Sequence, residues 1–320
     1  MPASITHMLI ARAACKGCRD EDIKRLLLDN FHSYLWGAQG PDLLMHGGYW
    51  PWHKLSNLVM IGIRLHKDQI NETFCEMREY LNERRGKSEY GPLAAYVLGY
   101  ITHHSADALF HPFVYGMIER QKSLRPRALK NSVHYNIEEN IDVALLHWLY
   151  GESPYRFTAY NALYLMDEIC LPVSSMYSHI LGTRFGRRVS PKEIVNAFKD
   201  MRMLQRFLFD PYGFKCSIVT FLEDLTGNDL GFSYITHRQR LDTRFDYCNF
   251  SKRLWANPFD GGVQSDDDVF DLYKKALNDS IYKIESFNRI LSDGGGHSEV
   301  CALFGEISFN TGQPDDGKQG

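Results

Sequence analysis

The feature that most constrains this chain is a stripe of three ionisable side chains on one otherwise apolar helix. Residues 98–112 carry His103, Asp107 and His111 at spacings of i, i+4 and i+8. At 3.6 residues per turn, these positions lie within about 80° of one another on one face. A buried, unpaired carboxylate is costly, so something must compensate Asp107. Because Pro112 disfavours helical geometry at His111, we expect the helix to end or kink there.

A second predicted helix carries a similar stripe. His134 and Glu138 are four residues apart, and Asp142 follows one turn later. Taken singly, such a pair is more often a surface ion pair or a hydrogen-bonded core histidine. Two pairs in neighbouring apolar helices favour a metal site, since imidazole nitrogens and carboxylate oxygens are the usual non-thiolate ligands of zinc. We expect Glu139 and Asp142 to face solvent or to support the ligands.

Apolar residues recur at helical spacing through most of the chain, which predicts an all-α fold. Of the 320 residues, 44% are hydrophobic, enough to bury a substantial core. Helices are predicted at about residues 92–111, 137–149, 191–209 and 267–291, with Ser190 as a cap for the third. Without a long linker, residues 1–291 are predicted to form a single domain. Residues 292–320 are poor in apolar side chains and are predicted to be a flexible tail.

Composition also limits the class of protein. The net charge of -3 shows no basic excess, so we expect no extended nucleic-acid surface. No segment reaches the roughly 20 apolar residues of a transmembrane helix, and none resembles the apolar core of a signal peptide. Seven scattered cysteines favour reduced thiols and a cytoplasmic location. Cys15 and Cys18 lack a second pair and are interpreted as ordinary helix-end cysteines, and the oligomeric state is left open.

Five segments occur in an order that points to one known family. They are MPASITH (1–7), GAQGPD (37–42), IGIRLHK (61–67), residues 98–112 and HYNIE (134–138). Together they resemble successive motifs of the zinc-dependent phospholipase C family, which is related to the S1/P1 nucleases. The resemblance covers about residues 1–150. It implies a multi-helix phospholipase C/P1 nuclease-like core, to which the rest of the chain adds C-terminal helices.

The resemblance also implies a set of eight metal ligands, all histidines or carboxylates: His7, Asp42, His66, His103, Asp107, His111, His134 and Glu138. The first zinc ion would take Asp42, His66 and His103. The second would take His111, His134 and Glu138. Asp107 would bridge to a neighbouring ion and, with His7, would hold a third one, which secreted members complete with the amino end of the mature chain. We expect two zinc ions, with the third depending on that end.

Two details of this assignment have alternatives. His46 and His53 also follow Asp42, and either would replace His66 if their loop folded back over the site. The Gly-x-x-x-His context favours His66. His104 points about 100° away from His103 on a helix and is therefore interpreted as a supporting residue.

The implied reaction is hydrolysis of a phosphodiester by metal-activated water, with Asp42 expected to orient or deprotonate that water. The expected substrate is a small phosphate ester or a phospholipid-like molecule. Residues 49–52 either offer aromatic faces to a choline-like cation or a nucleobase, or pack in the core. The alternatives are a P1-like nuclease or nucleotidase, and a metal-binding scaffold that has lost catalysis. A di-iron bundle and an HD-type phosphohydrolase are excluded, because the chain lacks Glu-x-x-His repeats and adjacent His-Asp pairs.

Overall fold

Helices dominate the computed structural model, which describes residues 4–48, 57–122, 130–152, 156–210, 212–226, 240–261 and 263–314. The first half contains α1 (Ser4–Gly17), α2 (Glu21–Asp29), α3 (Phe31–Gly37), α4 (Asp42–Met45), α5 (Leu58–Leu65), α6 (Ile70–Asn82), α7 (Tyr90–Lys122) and α8 (Lys130–Tyr150). The second half contains α9 (Ala159–Ala162), α10 (Asp167–Thr183), α11 (Pro191–Leu208), α12 (Phe214–Thr226), α13 (Val269–Asp293) and α14 (His297–Phe304). The strands β1 (Trp255–Ala256) and β2 (Gln264–Ser265) pair antiparallel, with Trp255 opposite Ser265. The all-α prediction is confirmed.

Local sequence fixes where several helices begin. At α11 the Ser190 side chain accepts the N–H of Glu193, and the Glu193 carboxylate accepts the N–H of Ser190, which forms the predicted capping box. The same arrangement starts α13, where Asp268 and Asp271 exchange such bonds. Two of the first orphan N–H groups are satisfied in this way at each helix.

The central helix α7 continues beyond the residue that was predicted to end or kink it. Pro112 lies inside α7, which continues to Lys122, so the expectation that the helix ends at His111 is wrong. Proline removes one N–H but does not prevent a helix from continuing when tertiary packing supports it. Pro112 has no N–H to donate to the carbonyl oxygen of Ala108. This oxygen lies against Gly312, and a Cβ on Gly312 would come within 2.3 Å of the oxygen.

α7 packs against α3, α1, α8, α10 and α13, and its crossing with α3 is very close. A Cβ on Gly99 would lie 2.1 Å from the carbonyl oxygen of Tyr34, and one on Gly37 would lie 1.9 Å from that of Tyr96. Only glycine at both positions allows the two backbones to approach so closely. This contact brings the segment after α3, which includes Asp42, against the polar stripe of α7.

The C-terminal part of the chain is ordered well beyond the predicted domain boundary. Residues 297–304 form α14, and residues 305–314, here called the C-terminal strap, run back over α7. Phe304 and Phe309 are each 1% exposed. The prediction of a flexible tail is therefore wrong for residues 292–314, because two buried aromatic rings anchor a segment whose average composition is polar. Residues 315–320 lie outside the described part.

Candidate metal centre

The eight predicted ligands come together around the middle of α7. His7 lies on α1, Asp42 lies on α4, and His66 is the residue that caps the end of α5. His134 and Glu138 lie on α8. His103, Asp107 and His111 lie on α7 itself. In the described part of the chain, they form three groups whose possible ligand atoms all lie within 4.8 Å of one another.

The first group contains Asp42, His66 and His103. The Nε2 atom of His66 lies 3.0 Å from Oδ1 of Asp42. The Nε2 atom of His103 lies 4.0 Å from Oδ2 of the same carboxylate. Two imidazoles and one carboxylate thus converge on a single point.

Asp107 connects this group to His7. One oxygen of Asp107 lies 3.2 Å from Nε2 of His7, and the other lies 3.1 Å from Nε2 of His103. A carboxylate that reaches different imidazoles with its two oxygens has the geometry of a bridging ligand. The amino end of the chain, which the family resemblance adds to this group, lies outside the described residues.

The third group contains His111, His134 and Glu138. Oε1 of Glu138 lies 2.9 Å from Nε2 of His134 and 3.6 Å from Nε2 of His111. His111 also lies near Asp107, with its Nδ1 atom 3.8 Å from Oδ2. The i, i+4 spacings of α7 and α8 place both stripes on facing sides of the two helices.

Backbone carbonyls orient three of the imidazoles. The Nδ1 atom of His66 lies 2.7 Å from the carbonyl oxygen of Gly62, that of His103 lies 3.1 Å from the oxygen of Ala38, and that of His111 lies 2.8 Å from the oxygen of Phe309. A carbonyl only accepts, so Nδ1 must carry the proton in each ring. In the neutral ring, Nε2 is then left with its lone pair directed into the centre, which is how metal-binding histidines are usually held.

The buried carboxylates are kept ionised by the surrounding imidazoles. Burial alone would raise the pKa of Asp107, but His103, His111 and His7 outweigh it and hold that pKa well below its usual range. In the same way, His134 and His111 lower the pKa of Glu138. Burial would lower the pKa of His111, yet Asp107 and Glu138 raise it to about 10. Without a metal, a proton on His111 supplies positive charge, whereas burial lowers the pKa of His103.

The donor set suits a metal ion better than protons alone. Among the described residues, Oε2 of Glu138 is a ligand atom that is buried without a hydrogen-bond partner. Such atoms are costly to bury unless something else coordinates or compensates them. Histidine nitrogens and carboxylate oxygens are ligand types that zinc accepts.

Asp142 is a supporting residue, which is one of the two roles expected for it. Asp142 and Glu139 are both fully buried, so of the two expected alternatives the solvent-facing one is wrong for both residues. The Asp142 carboxylate accepts the backbone N–H groups of Ile5 and Thr6 at 3.2 and 2.8 Å, as well as the Thr6 hydroxyl. It therefore fixes the first turn of α1, which carries His7. Its position one turn after Glu138 indicated a supporting role but not the N–H groups that it binds.

The Phe309 carbonyl is a feature that sequence analysis missed. It belongs to the C-terminal strap, about 200 residues away from His111 in sequence, and no spacing rule connects the two. The strap also accepts a bond from Nε2 of His104 through the Ile307 carbonyl at 2.9 Å. His104 thus points away from the ligand groups, as expected, and burial lowers its pKa to about 3.

The alternative histidines near Asp42 have different places. His46 is buried and its Nδ1 atom lies 2.8 Å from the backbone oxygen of Asp42, and burial lowers its pKa to about 4. It belongs to none of the three groups, whereas His66 does. His53 and residues 49–52 lie outside the described residues.

A cavity of about 350 Å³ lies beside the ligands. His66, His111 and His134 line it, together with the aromatic rings of Tyr115 and Tyr135. Lys67 lies at its rim and is exposed. The centre is therefore reachable by a small molecule.

No helix among the described residues has the length and apolar character needed to span a bilayer.

Comparison with known proteins agrees with this geometry. The family model for zinc-dependent phospholipase C matches residues 6–170, about half of the chain, and this region includes all eight predicted ligands. No curated protein and no solved structure matches the chain significantly. With its motifs, its helical fold and the family match in agreement, the chain belongs to the zinc-dependent phospholipase C family.

Proposed function

We propose that this protein is a zinc-dependent phosphodiester hydrolase of the phospholipase C type, with its active site at the middle of α7. The observation that carries the proposal is the orientation of His66, His103 and His111. Each has its Nδ1 proton bound by a backbone carbonyl and its Nε2 directed towards buried carboxylates. A backbone carbonyl bound to the outer nitrogen is a usual support of a metal-binding histidine.

The proposed ligand assignment follows the three groups. One zinc ion would be held by Asp42, His66 and His103, and another by His111, His134 and Glu138. Asp107 would bridge, with His7 beside it. Two ions are proposed, and a third at Asp107 and His7 is proposed only if the amino end of the chain reaches them.

Bound zinc would supply a Lewis acid that stabilises charge on phosphate oxygens and lowers the pKa of water. The protein's own residues provide the rest. Because His103 and His66 lower the pKa of Asp42 against the effect of burial, this carboxylate is ionised at neutral pH. It is therefore able to accept a hydrogen bond or a proton from the attacking water. Lys67, at the rim of the cavity, adds a cation for the phosphate group.

The cavity suits the head of a phospholipid-like substrate more than a polymer, since it holds about 350 Å³. A nuclease or nucleotidase is the second candidate. It is favoured by Tyr115 and Tyr135, which line the same cavity and offer ring faces to a nucleobase. Activity on glycerophospholipids without activity on nucleotides would select the first candidate, and the reverse result would select the second.

Metal content is the first test. Plasma mass spectrometry on untagged protein, purified without chelator, should find at least two zinc ions per chain. Little bound metal would refute the proposal. Bound zinc with no turnover of any phosphate ester would instead favour the scaffold that has lost catalysis.

Asp42→Asn tests the role of that carboxylate, and Asp29→Asn, on the exposed end of α2, is the matched control. We expect Asp42→Asn to retain zinc and to lose turnover, with the control unchanged. Full activity in Asp42→Asn would eliminate a catalytic role. Loss of zinc in this variant would show that Asp42 is a ligand and would leave its role towards the water unresolved.

A further inference from the structure

Three further side chains with metal-binding atoms converge outside the α7 centre. They are Cys75 on α6, and His297 and Cys301 on α14, and their possible ligand atoms all lie within 4.8 Å of one another. The Sγ atom of Cys301 lies 3.2 Å from Nδ1 of His297. The Sγ atom of Cys75 lies 4.0 Å from the backbone oxygen of His297. None of these residues belongs to the eight predicted ligands.

The helices present the three groups to one another. His297 and Cys301 are four residues apart and therefore share one face of α14. Cys75 is buried on α6, against which α14 packs. Two thiols and an imidazole, from two segments of the chain, thus meet at the junction of these two helices.

A carboxylate fixes the orientation of the imidazole. Oε1 of Glu72 lies 2.8 Å from Nε2 of His297, so Nε2 donates to it and Nδ1 is left with its lone pair. The other oxygen of Glu72 lies 3.1 Å from Nη1 of Arg184. A carboxylate bound to the outer nitrogen of a histidine is the usual support of a zinc ligand. Here it directs Nδ1 towards the cysteines.

We propose that Cys75, Cys301 and Nδ1 of His297 bind one zinc ion, with water in the fourth position, and that this ion fastens α14 to α6. Thiolate sulfur and imidazole nitrogen together select zinc over harder cations such as magnesium or calcium. The fourth position is left to water because the His297 side chain is 55% exposed at the surface. On binding, each thiol releases a proton and the metal replaces it.

The location of this site indicates a structural role for the ion. α14 leads directly into the C-terminal strap, whose Ile307 and Phe309 carbonyls orient His104 and His111. An ion that ties the start of α14 to α6 would hold the strap in register with α7. The segment between Asp293 and His297 is rich in glycine and gives little support of its own.

Cobalt substitution distinguishes this site from the α7 centre, which has no sulfur ligand among its eight predicted residues. Thiolate-bound Co²⁺ has an intense near-ultraviolet charge-transfer band, which histidine and carboxylate ligands do not produce. We expect the band in the wild-type protein loaded with Co²⁺ and in Cys216→Ser, a control at another partly buried cysteine. It should disappear in Cys301→Ser, which should also hold one zinc ion fewer per chain. A band of equal intensity in Cys301→Ser would overturn the proposal.

A measurement on the wild-type protein covers the case in which Cys301→Ser does not fold. Cys301 is partly exposed, so a thiol reagent should label it readily only when zinc is absent. We expect labelling of Cys301, read by peptide mass spectrometry, to be slow in the zinc-loaded protein and fast after chelation. Equal rates in the two states would overturn the proposal. A disulfide between Cys75 and Cys301 in protein kept under reducing conditions would also overturn it.

Discussion

Gly99→Ala is the most direct test of how the fold positions the centre. Gly99 lies in the interior of α7, where alanine would by itself favour the helix by about 1 kcal/mol. The structure predicts the opposite effect on stability, a loss. The new Cβ would lie 2.1 Å from the Tyr34 carbonyl oxygen and 2.8 Å from the backbone nitrogen of Ala38, and backbone atoms cannot rotate away.

The size of the effect follows from what must move. To relieve the overlap, α3 has to shift from α7 by about 1 Å, and overpacking of this kind costs about 1–3 kcal/mol. The shift also draws the Ala38 carbonyl, now 3.1 Å from Nδ1 of His103, out of hydrogen-bond range. Losing that bond adds about 1 kcal/mol. After the gain in helix propensity, we expect the free energy of unfolding to fall by about 2 kcal/mol.

Denaturant unfolding of the chelated protein measures this change, and zinc content measures its effect on the centre. Gly182→Ala is the matched control, because Gly182 is an exposed helical glycine in α10 with no atom within 4 Å of a new Cβ. It should stabilise the protein by about 0.5–1 kcal/mol. The reasoning would be refuted if Gly99→Ala were as stable as the wild type or changed in the same direction as Gly182→Ala.

Three further predictions concern the residues around the centre. The pKa of His111 is raised from 6.5 to about 10 in the folded, metal-free protein. Its stabilising contribution is therefore complete below pH 6.5 and is lost as the pH rises towards 10. Denaturant unfolding after chelation should show this loss of stability in the wild type and a smaller loss in His111→Gln. Asp142→Ala leaves the N–H groups of Ile5 and Thr6 buried without an acceptor and should cost about 1–3 kcal/mol by thermal unfolding, whereas Asp142→Asn, which keeps an acceptor oxygen, should cost less; equal losses in the two variants would contradict the assignment. Phe309→Ala removes a ring that is 1% exposed and should cost about 3–5 kcal/mol in the same assay, with reduced zinc retention; a loss under 1 kcal/mol would show that the ring does not anchor the strap.

Much of the centre was predictable because its spacings are local. His103, Asp107 and His111 must share a face wherever residues 98–111 are helical, and the same holds for His134 and Glu138. The helix start at Ser190 was predictable for the same reason, since a capping box involves only four consecutive residues. Motif order then allowed His7, Asp42 and His66 to be named as partners, although no spacing rule connects them.

The predictions failed where distant segments decide the outcome. Pro112 was expected to end or kink α7, and it does not end the helix, because packing against the strap and neighbouring helices supports its continuation to Lys122. The strap itself was predicted to be flexible, because average composition does not show that Phe304 and Phe309 find buried sites.

The sequence by itself therefore determined the all-α class, the two ligand stripes and the family. These depend on residue type and on spacings of a few residues, which the helix translates directly into a shared face. Only the tertiary structure decided which carbonyl orients each histidine, that Asp142 holds the first turn of α1, and that Cys75 meets His297 and Cys301. Those contacts join residues that are far apart in sequence, in one case by more than 200 positions. They form only when the close packing of the helices brings the segments together.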